Sequence, residues 1–553
     1  MDQDVPDKSN PHQFNGLRQV LTDQQPFGPG DTESVVHHGL SNVDRLFDRT
    51  NLIYAQTVAD TQPTYIIGRK GAGKTAFLVG STLKGRSLSE VLKTDSVYHA
   101  MLKVLREYSH AHGQLFVDQR ADIWQALFEQ IAIVHAWRTA SRRDPARELQ
   151  ALSDYVGRAT GPADPTVVAE HFLAELLHHT AERPSVGLRE TIAGVTNGGV
   201  RFDVARAAMH TVLAGRAETP VIVMDNLEDL HVRLHELTEV LAGLFRCVGR
   251  LVATNPGNRP FGTQICLPSE LFDKIHEIAA APEKDLQGRY LKIYWTAREL
   301  LRLTGTRLAL FLQMHHPDEL GRLRRRADLV DEPDPVIALL RAALPPRMIS
   351  GLDIEEDPIA YLLRHTQLLP RHLIQILNSV FTRTDHGSRP WAVTQAAVRA
   401  GTRHAEQLLV SGIFNAHLAS FPFASAAVRQ LSGRVDISFP ANDLHRVYNQ
   451  QGIRKLTNLD FDDFLSMLFT LGVLGVRFGQ TGRYNKAHFQ YTFDYNLTAQ
   501  EDTDVLCFHP LFTRFLHERA LPRLRSAHAH ATYPYGCDLK GEDYRHSFGY
   551  TGT

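Results

Sequence analysis

Apolar residues follow two rhythms along this chain. Short unbroken runs point to buried strands: Tyr65-Ile66-Ile67, Val221-Ile222-Val223-Met224, and Leu251-Val252-Ala253 between Arg250 and Asn255. Elsewhere the spacing is i, i+3, i+4. Residues 83 to about 215 read as mostly helical on this pattern, with Ile123 to Phe128 and Val168 to Leu177 the clearest stretches. Residues 290 to about 405 read as helical again. Three apolar-periodic segments, near 423–432, 440–450 and 460–471, then precede a β-rich stretch. That stretch holds Val473 to Phe478, a Gly-Gln-Thr-Gly-Arg turn, and Phe489 to Tyr495. Three helices and a hairpin form the winged-helix pattern, a relative of helix-turn-helix.

The pattern predicts an α/β fold: a core with a parallel sheet, a large helical insertion, a helical lid and a C-terminal winged-helix domain. Its boundaries fall at an aperiodic arm, 1–33, expected to be mobile; a core, 34–289, with its insertion at about 83–215; a lid, 290–410; a winged helix, 411–525; and a tail, 526–553, expected to be partly ordered at best. Between the lid helices, Asp328 to Pro335 reads as an acidic, Pro-rich linker.

Composition narrows the function. In 553 residues, 60 Lys+Arg against 61 Asp+Glu leave a net charge of −1, so nucleic-acid or membrane binding would need a local patch. The four cysteines suggest no disulfide framework, no apolar run is long enough for a membrane span, and the acidic, polar start resembles no targeting peptide. A cytoplasmic location is expected. The 28 histidines include His171 and His178 with Glu175 on one helical face, and His231 with His235, but neither set has a metalloprotease pattern.

The sharpest chemistry is Gly68-Arg69-Lys70-Gly71-Ala72-Gly73-Lys74-Thr75, set after a strand and before a helix that continues through Ala76. It matches the phosphate-binding loop G-x-x-x-x-G-K-[ST]. Gly71 and Gly73 let backbone N–H groups curl around phosphate oxygens. The helix start favours an anion, Lys74 reaches the β- and γ-phosphates, and Thr75 offers a hard oxygen to Mg²⁺. Asp225, closing an apolar run, is the expected second magnesium ligand. Roughly 150 residues part it from Lys74, which is why a helical insertion is expected. Asn226 follows Asp225 where many such ATPases carry glutamate, so Glu228 is the candidate for positioning water. Asn255, at the end of the next predicted strand, is the candidate for orienting that water against the γ-phosphate. Arg371, in Leu369-Pro370-Arg371, is the candidate lid arginine, and Arg259 and Arg289 are weaker candidates for an arginine finger. The run Arg322 to Arg326 reads as a solvated helix face. In the winged helix, Asp460, Asp462 and Asp463 oppose phosphate, while Arg477, Arg483 and Lys486 in the wing would attract it.

The order of these motifs resembles AAA+-like and STAND-type P-loop ATPases, the origin-recognition branch included. Closest are bacterial ATPases with a G-R-K-G-[AS]-G-K-[ST] loop, a D-x-x-E acid strand and an L-P-R lid, many of them in phage-defence or mobile-element settings. The resemblance spans most of residues 35–520 and implies ATP and Mg²⁺ as cofactors. It further implies a homo-oligomer and a switch or scaffold acting through a separate effector protein. The alternative is a DNA loader or remodeller working through the winged helix. No base-reading motif separates ATP from GTP.

Overall fold

The computed structural model describes residues 15–38, 45–46, 64–83, 89–140, 144–159, 164–197, 202–214, 220–225, 234–253, 260–269, 276–279, 281–286, 290–350, 353–382, 393–418, 420–490, 504–517 and 530–539. They fall into two compact units. One takes its residues from 57–70 and 81–292, the other from 1–56, 71–80 and 293–549.

The first unit is built on a five-stranded, all-parallel sheet in the order β2-β3-β4-β1-β5, with β1 Tyr65–Gly68, β2 Ser89–Lys93, β3 Val221–Asp225, β4 Gly262–Pro268 and β5 Tyr290–Lys292. Strands β1 and β3 are buried throughout, as their unbroken apolar runs require. Tyr65 stacks on Tyr290 across the ladder, and its hydroxyl donates to the Asp285 carbonyl. Asp285 is fully buried and accepts from Arg246 Nη1 at 2.9 Å and from the Ala281 amide. Helices Thr94–His112, Val117–Thr139, Ala146–Ala159, Pro165–Glu182, Leu188–Asn197 and Phe202–Ala214 fill the expected insertion.

Two strands differ from expectation. Leu251-Val252-Ala253 is the last turn of the helix Leu234–Ala253, and the strand beside β3 is Gly262–Pro268. Leu237, Val240, Leu241, Leu244, Phe245 and Val248 bury one face of that helix, so the three apolar residues continue a 3.6-residue period. The second difference is β2, a strand within the stretch read as helical. It is an edge strand with polar ends, and Val91 is exposed while Leu92 is buried. That single alternation is too short to register as a period.

The second unit holds the helices Ala297–His315, Pro317–Ala327, Pro335–Ala343, Pro358–Arg364, Pro370–Phe381 and Gln395–Ala416. Gly401 lets two of them close: a Cβ there would stand 2.5 Å from the Val380 Cα. The supposed linker 328–335 is a tight connection. Asp328 caps one helix, and Asp334 accepts from the Val336 and Ile337 amides at the start of the next, with Pro335 in its first turn. Arg322, Arg324, Arg325 and Arg326 face solvent while Leu320 and Leu323 are buried, so the basic run is a solvated face.

Helices Ala424–Arg429, Ala441–Gln450 and Phe461–Thr470 match the three periodic segments, with an added turn at Ile453–Thr457. A second sheet follows, in the order β12-β10-β9-β11-β8, with β8 Ser438–Pro440, β9 Leu474–Thr481, β10 Tyr484–His488, β11 Val505–Phe508 and β12 Ala531–Pro534. The return strand of the hairpin is β10 rather than 489–495, of which 491–495 lie outside the described residues. Strand β12 pairs parallel with β10, so part of the presumed tail is built into this sheet.

The arm expected to be mobile is held from Asn15 onward. Leu17, Leu21 and Phe27 are fully buried, and the Phe27 ring meets Phe381 edge-on at 5.0 Å. No helix among the described residues is long and apolar enough to cross a membrane.

Candidate phosphate-binding site

Parallel strands bring their carboxyl ends to one edge of a sheet, and β1 and β3 both end there in chemistry. Ile265 on β4 is opposite both Tyr65 and Met224, so Asp225 lies one residue beyond that level and Gly68 three. One strand intervenes, a lateral separation of about 10 Å. The edge where β1 delivers the loop thus also carries the buried Asp225, 8% exposed, whose carbonyl accepts from Thr94 Oγ1 at 2.8 Å. Ligands of parallel α/β sheets gather outside the carboxyl ends of the strands.

After Gly68 the chain turns through Arg69 and Lys70 into Gly71 and Gly73, at φ +89° and +93°, left-handed values that favour glycine. The helix Lys74–Leu83 then begins, and the Phe77 amide donates to the Gly73 carbonyl at 2.9 Å. Ala72 and Lys74 are buried, whereas Arg69, Lys70, Gly71, Gly73 and Thr75 keep partial access to solvent. The loop is therefore not sealed in apolar packing, and the positive end of a helix opens at Lys74. Ala76 is buried in the first turn.

Arg371 lies against this loop. A Cβ on Gly71 would come within 2.9 Å of Arg371 Cβ, 3.3 Å of its Cδ and 3.5 Å of its Nε. Only glycine admits that approach. Arg371 enters the first turn of the helix Pro370–Phe381, where the macrodipole disfavours a cation by about 0.3–1 kcal/mol. Just before it, Leu368 adopts φ +50°, an outlier for a bulky residue that stores about 1–3 kcal/mol. Two local penalties thus meet where this arginine is delivered to the loop.

A segment outside the expected site fixes Arg371 from its other side. Its Nε donates to the Gly30 carbonyl at 3.3 Å. Asn378, two turns along the same helix face, accepts from the Phe27 amide at 3.0 Å and donates to the Gly28 carbonyl at 2.8 Å. Two helical turns rise about 10 Å, the reach of three extended residues, so Phe27–Gly30 lies along the helix. Arg307 donates to the Phe27 and Pro29 carbonyls at 2.7 and 3.3 Å. Burial pushes its guanidinium down to about 10, still charged at neutral pH.

Trp295 also escaped the sequence reading. Its indole Nε1 donates to the Ala72 carbonyl at 2.7 Å, and a Cβ on Gly73 would meet the ring at 3.9 Å. The signal that could have found it is the capping box beside it. Thr296 Oγ1 accepts from the Glu299 amide, and Glu299 Oε2 accepts from the Thr296 amide. That box fixes the helix start and hence the indole. Trp295→Phe keeps the ring and loses the N–H, a hydrogen bond worth about 1 kcal/mol. Amide exchange at 71–73 is expected to accelerate roughly fivefold while the β1 amides are unaffected. Equal loop rates in both proteins would mean the indole does not brace the loop.

Among the candidates, the structure brings together Gly71 and Arg371, and aligns Gly68 and Asp225 on one sheet edge. Glu228, Asn255, Arg259 and Arg289 lie outside the described residues. The strand expected to lead to Asn255 is not there, because residues 251–253 end a helix; the carboxyl end of the strand beside β3 is Pro268. His178 lies 3.2 Å from Glu182, and no group of three or more metal-ligating side chains occurs among the described residues. No family model matches the chain, and a search of curated proteins finds no match either.

Proposed function

We propose that the chain is an ATP-binding switch or scaffold that hydrolyses ATP slowly, assembles with copies of itself and recruits a separate effector protein, in a role such as antiphage defence. The observation that carries the reading is the contact between Arg371 and Gly71, which joins a glycine loop of phosphate-binding sequence to a cation delivered at local cost. The loop fits the group: its two glycines are left-handed, its lysine begins a helix, and half its residues reach solvent. Gly68 to Ala76 would cradle the phosphates, with Lys74 on the β- and γ-phosphates. Mg²⁺ would be held by the Thr75 hydroxyl and the Asp225 carboxylate and would neutralise phosphate charge. Glu228 keeps its proposed role toward the attacking water; the role of Asn255 rested on a strand end where residues 251–253 are helical, and is not carried over.

Arg371 supplies the switch. Its present acceptor, the Gly30 carbonyl, is neutral. A γ-phosphate oxygen is charged and makes a bond roughly twice as strong. The triphosphate would draw the guanidinium to itself, and hydrolysis would return it to Gly30. Only contacts that differ between the two states drive such a change.

The competing reading, DNA binding through a winged helix, has less support. Arg483 donates to the Asp353 carbonyl, Lys486 pairs with Asp538, and Asp460, Asp462 and Asp463 cluster at the start of the third helix. Arg477 donates to Gln480 Oε1 at 2.9 Å, so all three cations of the wing are engaged, and the helix start is acidic.

Arg371→Ala tests the switch. ATP affinity is expected to fall about tenfold, the worth of one charge-assisted hydrogen bond, while ADP affinity stays within about threefold. ATP-dependent self-association, followed by light scattering, should be lost with it. An ATP-to-ADP preference equal to wild type would overturn the assignment. Hydrolysis stimulated by DNA with a steep salt dependence would favour the competing reading.

A further inference from the structure

The strap Phe27-Gly28-Pro29-Gly30 has its course set locally. Gly28 adopts φ +71°, a left-handed value, and its amide donates to the Gln25 carbonyl at 2.9 Å. Pro29 follows with a fixed φ and no amide donor to satisfy. Four successive carbonyls then accept side-chain hydrogen bonds: Phe27 from Arg307, Gly28 from Asn378, Pro29 from Arg307 and Gly30 from Arg371. Arg307 is 8% exposed and forms no ion pair among the described residues, so the strap carbonyls are the acceptors its buried charge has. A backbone held at four consecutive carbonyls has little freedom, and Gly30 therefore stands at a fixed place beside Arg371.

Two glycines, one on the strap and one on the phosphate loop, close on the stem of that arginine. A Cβ on Gly30 would stand 3.1 Å from Arg371 Cγ, and a Cβ on Gly71 would stand 2.9 Å from Arg371 Cβ. Carbon atoms in contact sit about 3.5–4.0 Å apart, so neither place has room for one. The two glycines are needed for different reasons. Gly71 has a left-handed backbone as well as a close neighbour, whereas Gly30 is not left-handed. At position 30 the demand for glycine is one of space alone, and Arg371 makes it. The end of the side chain is less constrained: among the described residues its Nε alone makes a hydrogen bond, to Gly30, and the two terminal nitrogens make none.

We propose that Gly30 is a positioning residue of the nucleotide site, which sets the preference for a triphosphate over a diphosphate by keeping the stem of Arg371 against Gly71. The inference rests on the switch role given above to Arg371, and it adds the N-terminal strap to that site. The stem stays clamped while the guanidinium turns between the Gly30 carbonyl and the triphosphate. A methyl group at position 30 forces a shift of a few tenths of an ångström. The strap is tied at Phe27, Gly28 and Pro29, so the arginine is what yields. Displacing a group that binds the reacting phosphate costs affinity even though the substituted residue touches no nucleotide.

The test is the ratio of ATP to ADP affinity in the full chain, from titration with fluorescent analogues. Gly30→Ala is expected to lower the ratio about threefold and Gly30→Val about tenfold, the loss expected of Arg371→Ala, with ADP affinity within about twofold of wild type. Position 30 is partly exposed and its backbone is not left-handed, so circular dichroism should be unchanged. On an Arg371→Ala background, Gly30→Val should leave the ratio where it is, because the side chain it displaces is gone. A wild-type ratio in both Gly30 variants, with the ratio reduced in Arg371→Ala, would overturn the positioning role and leave the switch standing. A wild-type ratio in Arg371→Ala as well would overturn both. Equal losses of ATP and ADP affinity, or a further drop on the Arg371→Ala background, would show that position 30 does not act through the arginine and would also overturn the proposal.

Discussion

Lys74→Ala is expected to lower ATP affinity by about 100-fold or more and to abolish measurable turnover, with the protein still folded. A buried ammonium that makes two charge-assisted bonds to phosphate contributes about 3–6 kcal/mol, and each 1.4 kcal/mol is tenfold. Lys74 is 4% exposed, so water cannot replace it in the bound complex. Two bonds that hold the loop come from other groups: the Phe77 amide on Gly73, and the Trp295 indole on Ala72. Both remain available when the ammonium is removed. Titration with a fluorescent ATP analogue, alongside circular dichroism, separates loss of binding from loss of fold. Wild-type affinity in a folded Lys74→Ala protein would refute the phosphate-loop assignment and with it the proposed switch.

What the sequence could and could not reveal follows from the range of the interactions. Strands β1 and β3 announce themselves because both faces are buried, leaving only apolar positions. The loop announces itself because left-handed turns demand glycine. Leu251-Val252-Ala253 misleads because three apolar residues satisfy a strand and a helix terminus equally; the helix is decided by the buried face from Leu237 to Val248. The proline before Arg371 marks a helix start, but its neighbour Gly71 is 300 residues away and only tertiary structure brings them together. Phe27–Gly30 looked like a mobile arm for a related reason. Its backbone is satisfied by Arg307, Asn378 and Arg371, all far along the chain, so no local period or cap marks it. The site is therefore legible where backbone geometry restricts residue choice, and illegible where distant side chains complete it.

The second large effect is expected at Glu356→Ala, which should destabilise the unit containing it by about 3–5 kcal/mol, read as a lowered urea midpoint for its unfolding transition. Glu356 and Arg364 have side-chain exposures of 0% and 6%. The carboxylate also accepts from the Tyr533 hydroxyl, and the guanidinium lies over the rings of Tyr361 and Tyr533 at 5.0 and 5.7 Å. Removing the acid leaves a buried cation with two aromatic faces and no counter-charge, the expensive way to break an ion pair. Glu356→Leu with Arg364→Met should recover much of the loss, because burying neither charge avoids both desolvation costs. The same network fastens β12 and the residues after it to the helix Pro358–Arg364, so amide protection in 531–537 should fall in parallel. Wild-type stability in Glu356→Ala would mean that water already reaches Arg364, and the buried pair would then not carry the stability ascribed to it.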